Sequence, residues 1–296
     1  MFKGSLVALV TPFDESNRVD YAALRRLIEF HVNEGSNGLV IAGTTGEAAT
    51  LTRVEHVELI ARAVEFVAGR LPVIAGTGSN STAQTIDLSL AVGDSGIDAY
   101  LLVVPYYNKP VQEGMYQHFA AIADSVSKPV MLYNVPGRTG SDMLPPTIAR
   151  LAAHGNIFGI KEATGDLDRQ REILDTVGDD FMLYSGDDFT VLPFLEQGGH
   201  GVVTVSGNVV PAALARLCAL AAAGKLTEAK ALDDTLQPLN KALFVESNPI
   251  PVKWAVSQMG LIPPYLRLPM TEFSEQYHEE MRRALAEAGV RLEGSA

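Results

Sequence analysis

Short, continuously apolar runs alternate with longer amphipathic segments through the first three quarters of the chain. We predict that each apolar run is a β-strand, because turn-forming residues bound it and it is too short for a buried helix. Residues on both faces of these strands are apolar, which is typical of a parallel sheet that is covered on both sides. The predicted strands are Ser5–Val10, Gly38–Ala42, Pro72–Ala75, Ala99–Val103, Pro129–Tyr133, Phe158–Ile160, Phe181–Tyr184 and Gly201–Val205.

The segments between these strands have helical spacing of apolar residues. Eight βα units in one run fit a (β/α)8 TIM barrel of the α/β class better than an open doubly wound sheet, and we assign residues 1–224 to this barrel. The predicted helices are Tyr21–Asn33, Arg53–Ala68, Thr82–Val92, Gln112–Ser125, Pro146–Ala153, Leu167–Val177, Phe189–Gln197 and Pro211–Ala222.

Beyond Gly224 the period changes, and no further strand is predicted. Three helical segments follow, at Leu226–Val245, Ile250–Met259 and Thr271–Ala288. We therefore predict a small α-helical C-terminal domain at residues 225–296.

Composition excludes several classes of function. The 296 residues have a formal net charge of −12, so the surface repels phosphate backbones and nucleic-acid binding is not expected. The six histidines form no ligand-spaced pair, so no metal site is predicted, and the single cysteine, Cys218, is expected in the core. No apolar run reaches the ~18 residues of a membrane span, and the apolar start is too short for a signal peptide. We expect a cytoplasmic protein with no membrane partner.

Lys161 ends the predicted sixth strand, which is an unusual place for a lysine. Burial disfavours the charged form of an amine, and a neutral amine attacks carbonyl carbon to form a Schiff base. The other interpretation is a lysine whose stem packs along the strand while its ammonium group reaches water.

Polar side chains lie at the carboxyl ends of several other predicted strands, where the catalytic groups of such barrels lie. Together they supply what a Schiff-base aldolase needs, namely an amine, a proton shuttle and donors for a substrate carboxylate. Taken singly, each has an ordinary structural role as a turn, a packing aromatic or a surface charge. The set is Thr44, Thr45, Tyr106, Tyr107, Tyr133, Arg138, Lys161 and Gly186.

Six motifs resemble those of the dihydrodipicolinate synthase family, which belongs to the lysine-dependent pyruvate aldolases. The resemblance covers essentially the whole chain and implies a (β/α)8 barrel. The motifs are GTTGEAATL (43–51), PYYNKP (105–110), YNVPGRTG (133–140), GIKEATGD (159–166), YSGDD (184–188) and SNPIPVKW (247–254).

The resemblance implies a lyase that condenses pyruvate with aspartate 4-semialdehyde to 4-hydroxy-tetrahydrodipicolinate without a cofactor. Lys161 would form the imine with pyruvate. Tyr133 would relay protons through Thr44 to Tyr107, which the neighbouring subunit would supply. The implied product feeds diaminopimelate and lysine synthesis, and the implied assembly is a homotetramer made of two tight dimers.

The resemblance also assigns four substrate-binding residues. Thr45 would bind the pyruvate carboxylate through its hydroxyl and backbone N–H, and Gly186 and Val203 would line the same pocket. Arg138 would bind the carboxylate of the semialdehyde, because a guanidinium fork suits a small carboxylate. Sister aldolases that cleave 2-keto sugar acids differ at the position of this arginine.

Lysine-inhibited family members have an allosteric site at the dimer interface, and this chain matches it only in part. The carboxylate that would pair with the lysine ammonium is replaced by an amide in Gln84, and Arg53 adds a like charge. We therefore predict weak or absent feedback by lysine. The residues of this degenerate site are Ala48, Arg53, His56, Asn80, Gln84 and Tyr106.

Two alternative functions stay open. The chain could be a sister class I pyruvate aldolase that acts on a 2-keto sugar acid, which substrate profiling would reveal. It could also be a non-catalytic barrel that binds a keto acid, although such a protein has no use for the relay residues Tyr133 and Thr44.

Overall fold

We describe a computed structural model that covers residues 2–292, so Met1 of the predicted barrel region and residues 293–296 of the predicted helical region lie outside the described part. The described residues form eight strands: β1 Gly4–Ala8, β2 Gly38–Ile41, β3 Val73–Gly76, β4 Ala99–Val103, β5 Val130–Asn134, β6 Ile157–Glu162, β7 Met182–Ser185 and β8 Gly201–Thr204.

Helices follow the strands along the chain, and further helices come after the last βα unit. They are α1 Tyr21–Asn33, α2 Arg53–Val67, α3 Thr82–Gly93, α4 Gln112–Ser125, α5 Pro136–Thr139, α6 Pro145–Ala152, α7 Leu167–Leu174, α8 Val191–Glu196, α9 Pro211–Ala222, α10 Leu226–Ala242, α11 Ile250–Gln258 and α12 His278–Glu287. Short 3-10 turns span Ala48–Thr50, Ser206–Asn208 and Glu275–Tyr277.

The strands form one closed barrel in the order β1 to β8, with every neighbouring pair parallel. Leu6 of β1 pairs with Val203 of β8 and closes the ring. The predicted (β/α)8 barrel of the α/β class is confirmed.

Successive side chains along each strand point alternately into two apolar layers. One layer fills the barrel and contains Leu6, Val40, Met131, Tyr133 and Val203, while the other lies between the strands and the surrounding helices. The outer layer continues into α10, α11 and α12, so the C-terminal helices pack on the barrel. This packing holds the C-terminal segments against the loops that follow the strands.

Local sequence explains where several helices begin. Asp20 accepts hydrogen bonds from the backbone N–H groups of Ala22 and Ala23 at the start of α1. At the start of α2, Thr52 and Glu55 form a capping box. Both helices therefore begin at the predicted residue.

Several helix bounds differ from the prediction: α7 and α10 end three residues early, at Leu174 and Ala242, and the last helix differs most. The segment predicted to be helical from Thr271 becomes helical at His278, because tertiary contacts hold the preceding residues. Ser274 donates its backbone N–H and its hydroxyl to Glu246, and Phe273 packs on Trp254 with ring centroids 5.4 Å apart. The short helix α5 lies between β5 and α6, where no helix was predicted.

No helix among residues 2–292 combines the length and the apolar character that a bilayer crossing requires.

Candidate active site

A β-bulge in β6 places Lys161 in the barrel interior. Val130 of β5 pairs with Ile157, but the next residue, Met131, pairs with Gly159, so β6 contains one extra residue. The shift brings Lys161 into register with Tyr133, whose side chain belongs to the interior layer. Without the extra residue, Ile160 would stand opposite Tyr133.

Lys161 and Tyr133 are in contact at the carboxyl ends of β6 and β5. The Lys161 Nζ lies 4.3 Å from the centroid of the Tyr133 ring. Both residues are 6% exposed, so the amine lies at an apolar, nearly closed position below the mouth of the barrel. The site therefore combines an amine, which can act as a nucleophile, with a phenol, which can transfer protons.

Gly186 gives Lys161 the space it occupies. A Cβ added at Gly186 would lie 2.8 Å from the Lys161 Cε and 2.6 Å from the Ala163 Cβ. The Gly186 backbone N–H donates to the Glu162 carbonyl at 2.7 Å, which fixes the loop after β7 against β6. The site therefore requires a residue without a side chain at this position.

Thr45, Asn248 and Arg138 form a second group at the mouth. Asn248 Nδ2 donates to the Thr45 hydroxyl at 3.0 Å, and both residues are buried. Arg138, on α5, donates from Nη2 to the backbone carbonyl of Asn248 at 3.4 Å. Residues from the segments that follow β2 and β5 thus meet a residue of the C-terminal region at one place.

The remaining predicted catalytic and pocket residues lie around this mouth. Thr44 is exposed, and its carbonyl accepts a hydrogen bond from the Glu47 backbone at 3.1 Å. Tyr107 is 88% exposed, and its backbone N–H donates to the Thr139 carbonyl at 3.2 Å. Val203 is buried inside the barrel on β8. In a single chain, the Tyr107 side chain therefore lies on the surface.

A buried ion pair joins the loop after β2 to α11. Lys253 Nζ lies 2.6 Å from Glu47 Oε1, with both side chains almost fully buried. Lys253 also lies over the Phe13 ring, 4.2 Å from its centroid. Burial lowers the pKa of Lys253 to about 8, although the Glu47 carboxylate favours the charged form. Glu47 also accepts the Arg267 backbone N–H at 3.2 Å.

A second polar network supports the ends of β5 and β6 from outside the barrel. Glu162 accepts hydrogen bonds from Asn134 Nδ2 at 3.1 Å and from Arg169 Nε at 3.2 Å. Burial raises the pKa of Glu162, and these donors oppose that effect. Because Asn134 and Glu162 directly follow Tyr133 and Lys161, this contact ties the ends of β5 and β6 together.

The six residues of the predicted degenerate lysine site lie between α2, α3 and the loop after β4. His56 Nε2 lies 2.8 Å from the Gly76 carbonyl, and Asn80 donates to the Tyr106 carbonyl at 3.2 Å. Gln84 accepts from the Ser79 hydroxyl at 3.4 Å, and Ala48 lies in the first 3-10 turn.

Arg53 does not present a free charge in this region. It forms two hydrogen bonds with Asp87 of α3, at 2.6 and 3.1 Å. The predicted repulsion of a lysine ammonium by Arg53 is therefore reduced by a neighbouring carboxylate.

Sequence reasoning missed the roles of Glu47, Asn248 and Lys253. All three lie within motifs that carry the family resemblance, but no role was predicted for them. The pairing of Glu47 with Lys253 had two signals in the sequence. One is a lysine inside an apolar helix, and the other is an acidic residue in the turn after β2. Among residues 2–292, no cluster of three or more histidine, cysteine or acidic side chains is arranged to hold a metal ion.

Comparisons with known proteins agree on one family. The model of the dihydrodipicolinate synthetase family matches residues 1–288. The chain is 55% identical over 290 residues to a 4-hydroxy-tetrahydrodipicolinate synthase of Pseudomonas aeruginosa, covering 98% of this chain and 99% of the relative.

Two solved structures have nearly the same fold. One is the chloride-inhibited dihydrodipicolinate synthase of Acinetobacter baumannii complexed with pyruvate, with a TM-score of 0.97 and 47% identity over 98% of this chain and 100% of that chain. The other, described as the first monomeric dihydrodipicolinate synthase variant, has a TM-score of 0.96 and 42% identity over 98% of each chain. The chain therefore belongs to the dihydrodipicolinate synthetase family.

Proposed function

We propose that this chain is a 4-hydroxy-tetrahydrodipicolinate synthase, a metal-independent lyase of the class I aldolase type. It condenses pyruvate with aspartate 4-semialdehyde and contributes to diaminopimelate and lysine biosynthesis. The observation that carries the proposal is the buried Lys161 amine at the carboxyl end of β6, 4.3 Å from the centre of the Tyr133 ring.

The first half of the reaction makes an enamine. Lys161 Nζ attacks the pyruvate carbonyl carbon, and loss of water leaves an imine between enzyme and substrate. Removal of a methyl proton then gives the enamine. In this proposal Tyr133 moves these protons, and the contact of its ring with the amine supports that role.

The second half joins the two substrates. The enamine carbon attacks the aldehyde carbon of the semialdehyde, and the aldehyde oxygen takes a proton. The substrate amino group then displaces Lys161 from the imine, which closes the ring and frees the enzyme. The condensation and ring closure are redox-neutral overall, so the reaction needs no redox cofactor.

Two carboxylates must be bound for this reaction. Thr45 lies buried at the mouth, where its hydroxyl and backbone N–H bind the carboxylate of pyruvate. Arg138 is exposed on α5, where its guanidinium binds the carboxylate of the semialdehyde. Gly186 and Val203 line the pyruvate pocket.

The relay and the assembly are linked in this proposal. Tyr106, Tyr107 and Val111 lie in one loop and are 40%, 88% and 75% exposed, an apolar surface that a second subunit would cover. Tyr107 of one subunit then completes the Tyr133–Thr44 relay of its neighbour. We propose a dimer of such dimers in the cytoplasm.

A coupled assay tests the function. Pyruvate consumption is followed with aspartate 4-semialdehyde and the reductase that uses the product, alongside a sialic-acid cleavage assay. Condensation without cleavage is the expected result. Condensation that is absent, while sialic acid is cleaved, would overturn the proposal in favour of a sister aldolase.

The Arg138→Ala variant tests the second carboxylate site. Loss of charge-assisted bonds worth about 1.5–3 kcal/mol should raise the KM for the semialdehyde about 10- to 100-fold. Arg216→Ala, on the exposed side of α9, is the matched control and should leave that KM unchanged.

A further inference from the structure

Asn248 joins the two groups to which we assign substrate carboxylates. Its side chain reaches Thr45, at 3.0 Å, and its backbone carbonyl reaches Arg138, at 3.4 Å. Asn248 is 4% exposed and directly precedes Pro249 and α11. It is therefore a buried member of the group at the mouth, in contact with both Thr45 and Arg138.

The direction of the Asn248–Thr45 bond determines where the threonine proton points. Asn248 Nδ2 donates, so the Thr45 oxygen is the acceptor and keeps its own proton for another partner. A substrate carboxylate, which only accepts hydrogen bonds, requires that proton.

The orientation of the Asn248 amide decides the role of the Thr45 hydroxyl. With Nδ2 towards Thr45, the threonine oxygen accepts, and Asn248 Oδ1 is a buried acceptor with no hydrogen-bond partner among the described residues. The opposite orientation would make the Thr45 hydroxyl donate to Asn248 and leave no proton for a carboxylate.

The segment that carries Asn248 is firmly attached to the segment that carries Thr45. Two residues beyond Thr45, Glu47 forms the buried ion pair with Lys253 at 2.6 Å. Asn248 lies five residues before Lys253 in the chain. Two contacts thus join the same two segments, so the amide is held at a constant distance from the hydroxyl.

We propose that Asn248 is a positioning residue that orients the Thr45 hydroxyl as a donor to the carboxylate of pyruvate. This inference rests on the proposed function, in which Thr45 binds that carboxylate. Asn248 acts through its side chain on Thr45 alone, while its backbone carbonyl holds Arg138 whatever side chain is present.

This division predicts a selective kinetic effect. Asn248→Leu keeps the approximate size of the side chain but removes the donor. The KM for pyruvate should rise about 3- to 10-fold, the equivalent of one neutral hydrogen bond, and the KM for the semialdehyde should stay within about twofold. A general loss of order in the segment would raise both KM values, so equal increases would overturn the proposal.

A double-mutant cycle isolates the role of the hydroxyl. In a Thr45→Val background, no hydroxyl remains to orient, so adding Asn248→Leu should change the KM for pyruvate by less than about twofold. An undiminished effect in that background would contradict the proposal. Ser247→Ala, at the exposed neighbouring residue, is the control and should behave as the wild-type protein.

Imine formation with pyruvate alone gives a second readout. The protein is mixed with increasing pyruvate, reduced with borohydride and analysed by mass spectrometry for modified Lys161. Asn248→Leu, or the smaller Asn248→Ala if the first does not fold, should shift half-maximal modification about 3- to 10-fold upward.

The two proposals fail in different ways in this experiment. Wild-type protein that forms no imine would overturn the proposed function and this inference together. Wild-type protein that forms the imine, with unchanged half-maximal pyruvate in both Asn248 variants, would overturn this inference alone.

Discussion

The Lys161 amine depends on the residues that pack around its stem. Tyr133 covers it from β5, and Gly186 leaves the gap through which the side chain passes. A productive nucleophile must be held close to its reacting geometry, and small misplacements cost large factors in rate. The neighbours of Lys161 are therefore expected to affect activity without taking part in the chemistry.

Gly186→Ala tests this dependence. The new Cβ would lie 2.8 Å from the Lys161 Cε, which forces the lysine stem or the Ala163 backbone to move. A shift on the order of 1 Å should lower kcat/KM for pyruvate about 10- to 100-fold. Steady-state kinetics and far-ultraviolet circular dichroism together separate this effect from unfolding.

The control for this variant is Gly178→Ala. No atom lies within 4 Å of a Cβ built at Gly178, so activity should stay near that of the wild type. Equal kinetics for both alanine variants would contradict the role given to Gly186.

At the scale of elements, α11 and the loop after β2 act as one unit. Glu47 and Lys253 are buried together, and removal of one partner leaves an uncompensated charge in the protein interior. The ion pair therefore makes the position of this loop sensitive to either residue.

Lys253→Met should lower the free energy of unfolding by about 3–5 kcal/mol. The double variant Lys253→Met/Glu47→Gln removes both charges and should recover part of that loss. Urea unfolding at a fixed protein concentration gives both values. If the double variant is less stable than Lys253→Met, the unpaired Glu47 carboxylate is not the cause of the destabilisation.

A second link, between Arg267 and Glu55 at the start of α2, predicts a pH effect. The Arg267 guanidinium lowers the pKa of Glu55 to about 2, below its ordinary value of 4.5. A lowered carboxyl pKa stabilises the folded state above the unfolded pKa, and this stabilisation is lost as pH falls from about 4.5 towards 2.

Glu55→Gln should therefore destabilise the protein more at pH 6 than at about pH 3. Urea unfolding of wild type and variant at both pH values gives the two differences. A difference that is the same at both pH values, or larger in acid, would contradict the assignment.

The elements were largely predictable from the sequence, because they depend on local periodicity. Continuous apolar runs located all eight strands, and α1, α4 and α9 have the predicted bounds. The start of α12 was not predictable, since contacts of Ser274 with Glu246 compete with helical propensity.

The site was predictable only where its residues end strands or belong to a known motif. The bulge that turns Lys161 towards Tyr133 has no signal in the apolar pattern. The contact of Asn248 with Thr45 joins residues 203 positions apart, and no local pattern encodes such a distance. Sequence analysis therefore named candidate reacting groups and missed the contacts that hold their neighbours in place.

At the scale of the whole molecule, charge and surface bear on partners and regulation. The chain has a net charge of −12, so anionic substrates must be attracted by local positive groups, a role that we propose for Arg138. The region between α2 and α3 offers Gln84 and the already paired Arg53 to an effector. Neither supplies a free carboxylate for a lysine ammonium.

We accordingly predict weak or no inhibition by lysine, and a gain of inhibition in Gln84→Glu. A restored carboxylate should lower the inhibitory lysine concentration about tenfold or more, the equivalent of one charge-assisted hydrogen bond. A lysine titration of both proteins in the coupled assay measures this. Sub-millimolar half-inhibition of the wild-type protein would contradict the prediction.

The most direct test of the central claim is borohydride trapping of the pyruvate imine, with the modified residue located by mass spectrometry. The account predicts one reduced pyruvate adduct per chain, on Lys161, and none on Lys161→Arg, which keeps the charge but forms no imine. An adduct on a different lysine, or wild-type turnover by Lys161→Arg, would contradict the account.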